Sequence, residues 1–125
     1  MFRNLFTPRH TTSSLFPDGM DMHTHILWGV DDGASSLQES LGIIRRLKSF
    51  GLKGAYCTPH IKACYPENTP DFLRRRFEQL LASVINEQFE LKLAAEYMLD
   101  DRFEEQISRY APLTYDGTHL LVELP

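Results

Sequence analysis

The stretch Asp21-Met22-His23-Thr24-His25-Ile26-Leu27-Trp28-Gly29-Val30-Asp31-Asp32-Gly33-Ala34 decides the reading of this chain. It sets two imidazoles two residues apart, after a short run with strand-like alternation. On a β-strand, residues i and i+2 face the same side, so both rings point toward one place. The acidic loop that follows is bounded by Gly29 and Gly33. A loop of this kind after a strand is where α/β folds carry their chemistry.

Outward from this stretch, strand-like and helix-like segments alternate. The first strand is expected at about 19–25 and the first helix at about 37–50. Ser36 is placed as its N-cap, Glu39 three residues later completes a capping box, and Gly51 supplies the stop. A second strand is expected over 53–58, ending at Pro59-His60. A second helix opens at Thr69-Pro70, with Thr69 as cap and Pro70 at the first helical position. Its buried face is read as Phe77, Leu80, Leu81, Val84 and Ile85. A third strand follows over 89–95, a short helix over about 100–110, and a fourth strand over 119–124. The order predicts an α/β fold with a parallel sheet and crossover helices. Residues 1–17 show no sustained period and read as a leader or mobile arm, with Leu15 and Phe16 able to dock on a domain beginning at 18. The domain so formed resembles the first half of a larger barrel, which typically needs roughly 250 residues.

Bulk composition narrows the function classes. The 125 residues are 42% hydrophobic and 24% charged, with a formal net charge of −4. A mildly acidic chain with no basic stripe argues against nucleic-acid binding. No apolar run approaches the ~20 residues needed to cross a bilayer, and no signal peptide is read at the N-terminus. The expectation is a cytoplasmic protein without membrane insertion. Cys57 and Cys64 are too few for a disulfide scaffold and are expected as free thiols. Neither is followed by arginine six positions on, where Ala63 and Pro70 stand, so the cysteine-phosphatase loop is absent. No glycine-rich phosphate loop is present either. Arg74-Arg75-Arg76 reads as a solvated helix face, and His10 and His119 as solvent-facing.

The candidate chemistry lies at the strand ends. The first strand delivers His23 and His25, and its loop Asp31 and Asp32. The second ends at His60, the third at Glu96, and the fourth carries Glu123 near its end. Taken singly, His60 reads as a polar strand end and Glu96 as an acid favoured near a helix N-terminus. Glu123 within Leu120-Leu121-Val122-Glu123-Leu124 would be costly to bury unpaired. Together they form an N/O donor set without thiolate, suited to Mn, Fe or Zn. Several carboxylates can bridge ions about 3.5–4 Å apart, as in two-metal phosphate chemistry.

At Asp21-Met22-His23-Thr24-His25, Gly29-Val30-Asp31-Asp32-Gly33-Ala34, Thr58-Pro59-His60, Ala94-Ala95-Glu96 and Leu121-Val122-Glu123, the chain resembles the polymerase-and-histidinol-phosphatase (PHP) superfamily. Within it, the Gly29–Ala34 loop and the helix start at Ser36-Leu37-Gln38-Glu39-Ser40-Leu41 resemble the bacterial manganese-dependent tyrosine-protein phosphatases of capsule and exopolysaccharide loci. The resemblance implies the N-terminal part of a distorted (β/α)7, TIM-like barrel. It implies Mn2+, two or three ions in the full fold, with His23, His25, Asp32, His60, Glu96 and Glu123 as ligands and Glu96 bridging. It implies hydrolysis by hydroxide generated at the metal, without a phosphoenzyme. The implied partner is the phosphotyrosine tail of a bacterial tyrosine kinase that controls polysaccharide export. The family's later ligands and phosphate-binding arginines have no counterpart in these residues. The readings held against it are a PHP small-molecule phosphatase, such as one acting on histidinol phosphate, and a truncated, non-catalytic half-barrel. The latter would associate, as a homo-oligomer or with a partner, through its open sheet edge.

Overall fold

The computed structural model describes residues 15–125. Most of the expected arm lies outside them. Its last part runs against the end of the first helix, where Phe16 N–H donates to the Phe50 carbonyl at 3.1 Å and Asp18 N–H to that of Gly51 at 3.0 Å. The Leu15 and Phe16 side chains themselves are exposed.

In chain order the elements are β1 (Met20–Thr24), α1 (Leu37–Ser49), β2 (Gly54–Cys57), β3 (His60–Ile61), α2 (Pro70–Ser83), β4 (Glu90–Leu93), β5 (Glu96–Met98), α3 (Phe103–Arg109) and β6 (Leu121–Glu123). All strand pairs are parallel, in two sheets ordered β1-β2-β4 and β3-β5-β6. The chain is thus mixed α/β with crossover helices, as the alternation predicts.

The division into two sheets departs from the single sheet expected. The strand expected over 53–58 is β2; after an interruption at Thr58-Pro59, where Pro59 has no N–H to give the ladder, the chain forms a further strand, β3. The strand expected over 89–95 is β4, and β5 follows it in the same way after Ala94-Ala95. Single bonds carry the chain across both gaps: Ala94 N–H to the Cys57 carbonyl and Glu96 N–H to the Pro59 carbonyl, each 2.9 Å. Glu96 therefore begins a strand rather than ending one. The fourth strand is shorter than expected, and His119 lies outside it, bound to Asp116 in the preceding turn.

Helix caps follow the sequence with one change. Ser36 Oγ accepts from Glu39 N–H at 3.2 Å, but the Glu39 carboxylate reaches back to Ser35 N–H, at 2.7 Å, rather than to the cap residue. In α2, Thr69 caps Phe72 N–H and Pro70 opens the helix. The apolar face of α2 is narrower than expected. Leu73, Leu80 and Val84 are buried, whereas Leu81 is 40% and Ile85 79% exposed. The helix stops at Ser83, so Ile85 falls beyond the helical period. The core between helices and sheets gathers Ile26, Leu27, Ile44, Cys57, Leu73, Leu80 and Tyr97.

Where the β1–β2 ladder runs out, two threonines replace it. Thr58 Oγ1 accepts from Thr24 N–H at 3.1 Å and donates to the Thr24 carbonyl at 3.0 Å, and both residues are buried. Each such bond contributes roughly 0.5–1.5 kcal/mol net. Thr58→Val, which keeps the shape and removes both, is expected to lower the free energy of unfolding by about 1–3 kcal/mol. The midpoint of urea unfolding measures this, and an unchanged midpoint would contradict it.

Candidate metal centre

Residues of β1, β3, β5 and β6 and of the loop after β1 converge on one rim. The β1–β2 register slips between Asp21 and Thr24, which marks a bulge in the strand carrying His23. His25 lies one residue past the end of β1. The two rings nevertheless meet, with His23 Nε2 and His25 Nε2 3.3 Å apart. Glu96 Oε2 stands between them, 3.0 Å from His23 Nε2 and 3.2 Å from His25 Nε2.

His60, on β3, joins from the other side. Its Nδ1 is 3.3 Å from the same Glu96 oxygen and 3.6 Å from Glu123 Oε2, and its Nε2 is 3.4 Å from Asp32 Oδ1. His60 pairs in register with Glu96, and Glu123 pairs with Met98, two residues further along β5. His60 and Glu96 are buried, Glu123 is half-exposed, and Asp32 is exposed at the mouth. The six residues singled out from sequence thus lie together on one surface.

Asp31, the neighbour of Asp32, was not among them, yet its side chain is fully buried. Its Oδ2 accepts from His25 Nδ1 at 3.1 Å and from His60 N–H at 3.0 Å, while Oδ1 accepts from Gly33 N–H at 2.9 Å. A carboxylate only accepts here, so His25 donates its Nδ1–H to Asp31, and Nε2 is the ring atom that faces Glu96. The bond to Asp31 also holds His25 above the ordinary histidine value of 6.5. Burial pushes the Asp31 carboxyl up, but its bonds to His25, His60 and Gly33 outweigh that, and it ends below its ordinary value. The sequence signal for Asp31 was an aspartate two residues before a glycine, a common side-chain-to-backbone turn.

Two buried atoms in the cluster lack a hydrogen-bond partner: His60 Nδ1 and Glu123 Oε2. Facing each other at 3.6 Å, they suit a cation placed between them. Three overlapping groups have ligand atoms within 4.8 Å of one another: His23, His25 and Glu96; His60, Glu96 and Glu123; and His25, Asp31, Asp32 and His60. The donors are imidazole and carboxylate, the set that suits Mn, Fe or Zn.

Burial pushes the Cys57 thiol up to about 12, so Cys57 offers no thiolate near neutral pH. Of the three arginines expected on a solvated face, Arg74 and Arg75 are exposed, but Arg76 lies 4.8 Å over the Trp28 ring. That contact ties α2 to the loop after β1. Among the described residues, no helix is long and apolar enough to cross a membrane.

The chain is 28% identical over 109 residues to the tyrosine-protein phosphatase YwqE of Bacillus subtilis (strain 168), covering 85% of this chain and 43% of the relative. The fold superposes with a TM-score of 0.75 and 27% identity on a structure from the work on YwqE of Bacillus subtilis and CpsB of Streptococcus pneumoniae, described there as unique metal-dependent tyrosine phosphatases. That match covers 85% of this chain and 44% of the other. The chain therefore spans under half the length of the relatives it matches. The family profile described as capsular polysaccharide synthesis, CpsB/CapC, matches residues 19–125. From Gly19 onward, through every strand end that carries the cluster, this chain belongs to the CpsB/CapC family of capsular polysaccharide synthesis.

Proposed function

We propose that the chain is the N-terminal part of a metal-dependent protein-tyrosine phosphatase that acts on the phosphotyrosine tail of a bacterial tyrosine kinase in polysaccharide export. Its fold on this reading is the first portion of a distorted (β/α)7 PHP barrel, from residue 18 onward, working in the cytoplasm. The observation that carries the proposal is the meeting of the His23, His25 and His60 rings at Glu96, each within 3.0–3.3 Å of the same Glu96 oxygen.

On this reading His23, His25, Asp32, His60, Glu96 and Glu123 hold Mn2+, with Fe or Zn as substitutes. Bound divalent ions would supply positive charge for the phosphoryl oxygens and lower the pKa of water. The chain's own residues do the rest. Glu96, nearly equidistant from three imidazoles, would offer its carboxylate to ions held beside any of them. Asp31 fixes the tautomer and ring plane of His25. Asp32, exposed at the mouth, would be the outermost of these ligands.

The first test is bound metal per chain, by elemental analysis after loading with Mn2+ and dialysis, followed by phosphate release from a phosphotyrosine peptide with and without chelator. Retained metal and chelator-sensitive release are expected. Chelator-resistant release, or no retained metal, would sink the reading. Preference for histidinol phosphate over the peptide would favour the small-molecule alternative. Because His25 must lose its ring proton to bind metal and sits above 6.5, uptake is expected to weaken as pH falls through that raised value. Asp31→Asn, which weakens the hold on His25 without removing a ligand, is expected to reduce Mn2+ affinity about 10–100-fold, read by titration calorimetry.

A further inference from the structure

Beside the rim lies a cleft of about 190 Å3, bordered by Gly29, Val30, Tyr65, Asn68 and Phe72. It is firmly built. Asn68 is buried, and its side-chain amide donates to the Val30 carbonyl at 2.9 Å and to the His60 carbonyl at 2.8 Å. One side chain thus clamps both loops of the cleft to the strand that carries His60. Tyr65 links the cleft to the metal rim. Its ring lies within 14° of parallel to the His60 ring, with centroids 6.1 Å apart. That separation exceeds full face contact, and Tyr65 is only half-buried, so part of its ring is open to another partner. Lys62 Nζ, 5.5 Å from the same ring, braces it. Gly29, at φ +67°, leaves the opposite lip without a side chain, and a Cβ there would meet nothing within 4 Å.

We infer that this cleft receives the aryl ring of the phosphoester, with Tyr65 as the residue that selects aryl over alkyl substrates. The inference rests on the phosphatase reading above. The volume exceeds the ~150 Å3 in which a benzene ring is accommodated. The walls offer two aromatic side chains, against which a ring packs offset or edge-on. A phosphoester bound to metal ions held at the rim would have the Tyr65 ring, stacked 6.1 Å from His60, beside its leaving group. An alkyl phosphoester has no ring to fill the space.

The test compares phenylphosphonate with methylphosphonate, neither of which is hydrolysed, binding to the Mn2+-loaded chain. Binding is read by calorimetry and by the fluorescence of Trp28, the sole tryptophan. Phenylphosphonate is expected to bind about tenfold more tightly. Tyr65→Ala should bring the two affinities together with metal content unchanged, and Tyr65→Phe should keep the preference. Should Tyr65→Ala fail to fold, Tyr65→Leu, which keeps apolar bulk without a ring, is read in the same way. Equal affinity in the unaltered chain, or a preference that survives loss of the Tyr65 ring, overturns the inference and leaves the phosphatase reading standing. A chain that holds metal but binds neither phosphonate overturns both.

Discussion

His60→Ala is expected to reduce Mn2+ affinity by more than the ~10–100-fold typical of losing an outer partner of a ligand. His60 is the one side chain that faces Asp32, Glu96 and Glu123 at once, at 3.4, 3.3 and 3.6 Å. Without it, two of the three ligand groups lose a member, and the carboxylates are left facing one another with no base between them. The fold should survive. His60 N–H still donates to Asp31 and its carbonyl still accepts from Asn68, because both bonds are made by the main chain. The expected pattern is thus near-normal thermal unfolding of the metal-free protein with little metal retained after dialysis. Retention equal to that of the unaltered chain would remove His60 from the centre.

Gly33→Ala is expected to have a comparable effect without touching any ligand. A Cβ at residue 33 would lie 2.4 Å from both the Cβ and the carbonyl oxygen of His25, and 3.1 Å from Asp31 Oδ1. The carbonyl oxygen is main chain and the Cβ is fixed to it, so neither can swing aside. To admit the methyl group the loop must open, at the expense of Gly33 N–H to Asp31 and of Ala34 N–H to the His25 carbonyl, at 2.9 and 3.0 Å. His25 then moves away from His23 and Glu96. Overpacking of this kind typically costs about 1–3 kcal/mol. The substitution should therefore lower both the urea midpoint and the metal content. Full metal binding by the Gly33→Ala variant would show that His25 is held by something other than this loop.

Gly33 also shows where reading residues along a chain succeeds and where it stops. The spacing of His23 and His25 was enough to bring their rings together, because period two is a property of any extended backbone. It survived even though His25 lies beyond β1 and a bulge precedes it. Pro59 marked the end of β2 correctly, since a missing N–H is a local fact. The restart at β3 could not be read the same way, because a two-residue strand exists only through its pairing with β5. Between Asp31 and Asp32 the sequence offers two adjacent acids of equal chemistry. Which one turns inward depends on the path of the loop, set by Gly33 packing on His25. Ile85 failed for the opposite reason: the apolar rhythm of α2 continues past the point where the helix itself has ended.

The break that divides each long strand has a dynamic consequence. β1, β2 and β4 are four or five residues long, whereas β3, β5 and β6 have two or three and hold much of the cluster. Short ladders with few main-chain bonds open more often than the body of a domain. Amide hydrogen exchange should accordingly separate into two tiers, slow for Ala55–Cys57 and faster for Ile61, Tyr97 and Val122. Manganese, drawing His60, Glu96 and Glu123 onto one ion, would act as a rivet across all three short strands. Protection gained on loading should then concentrate in the faster tier.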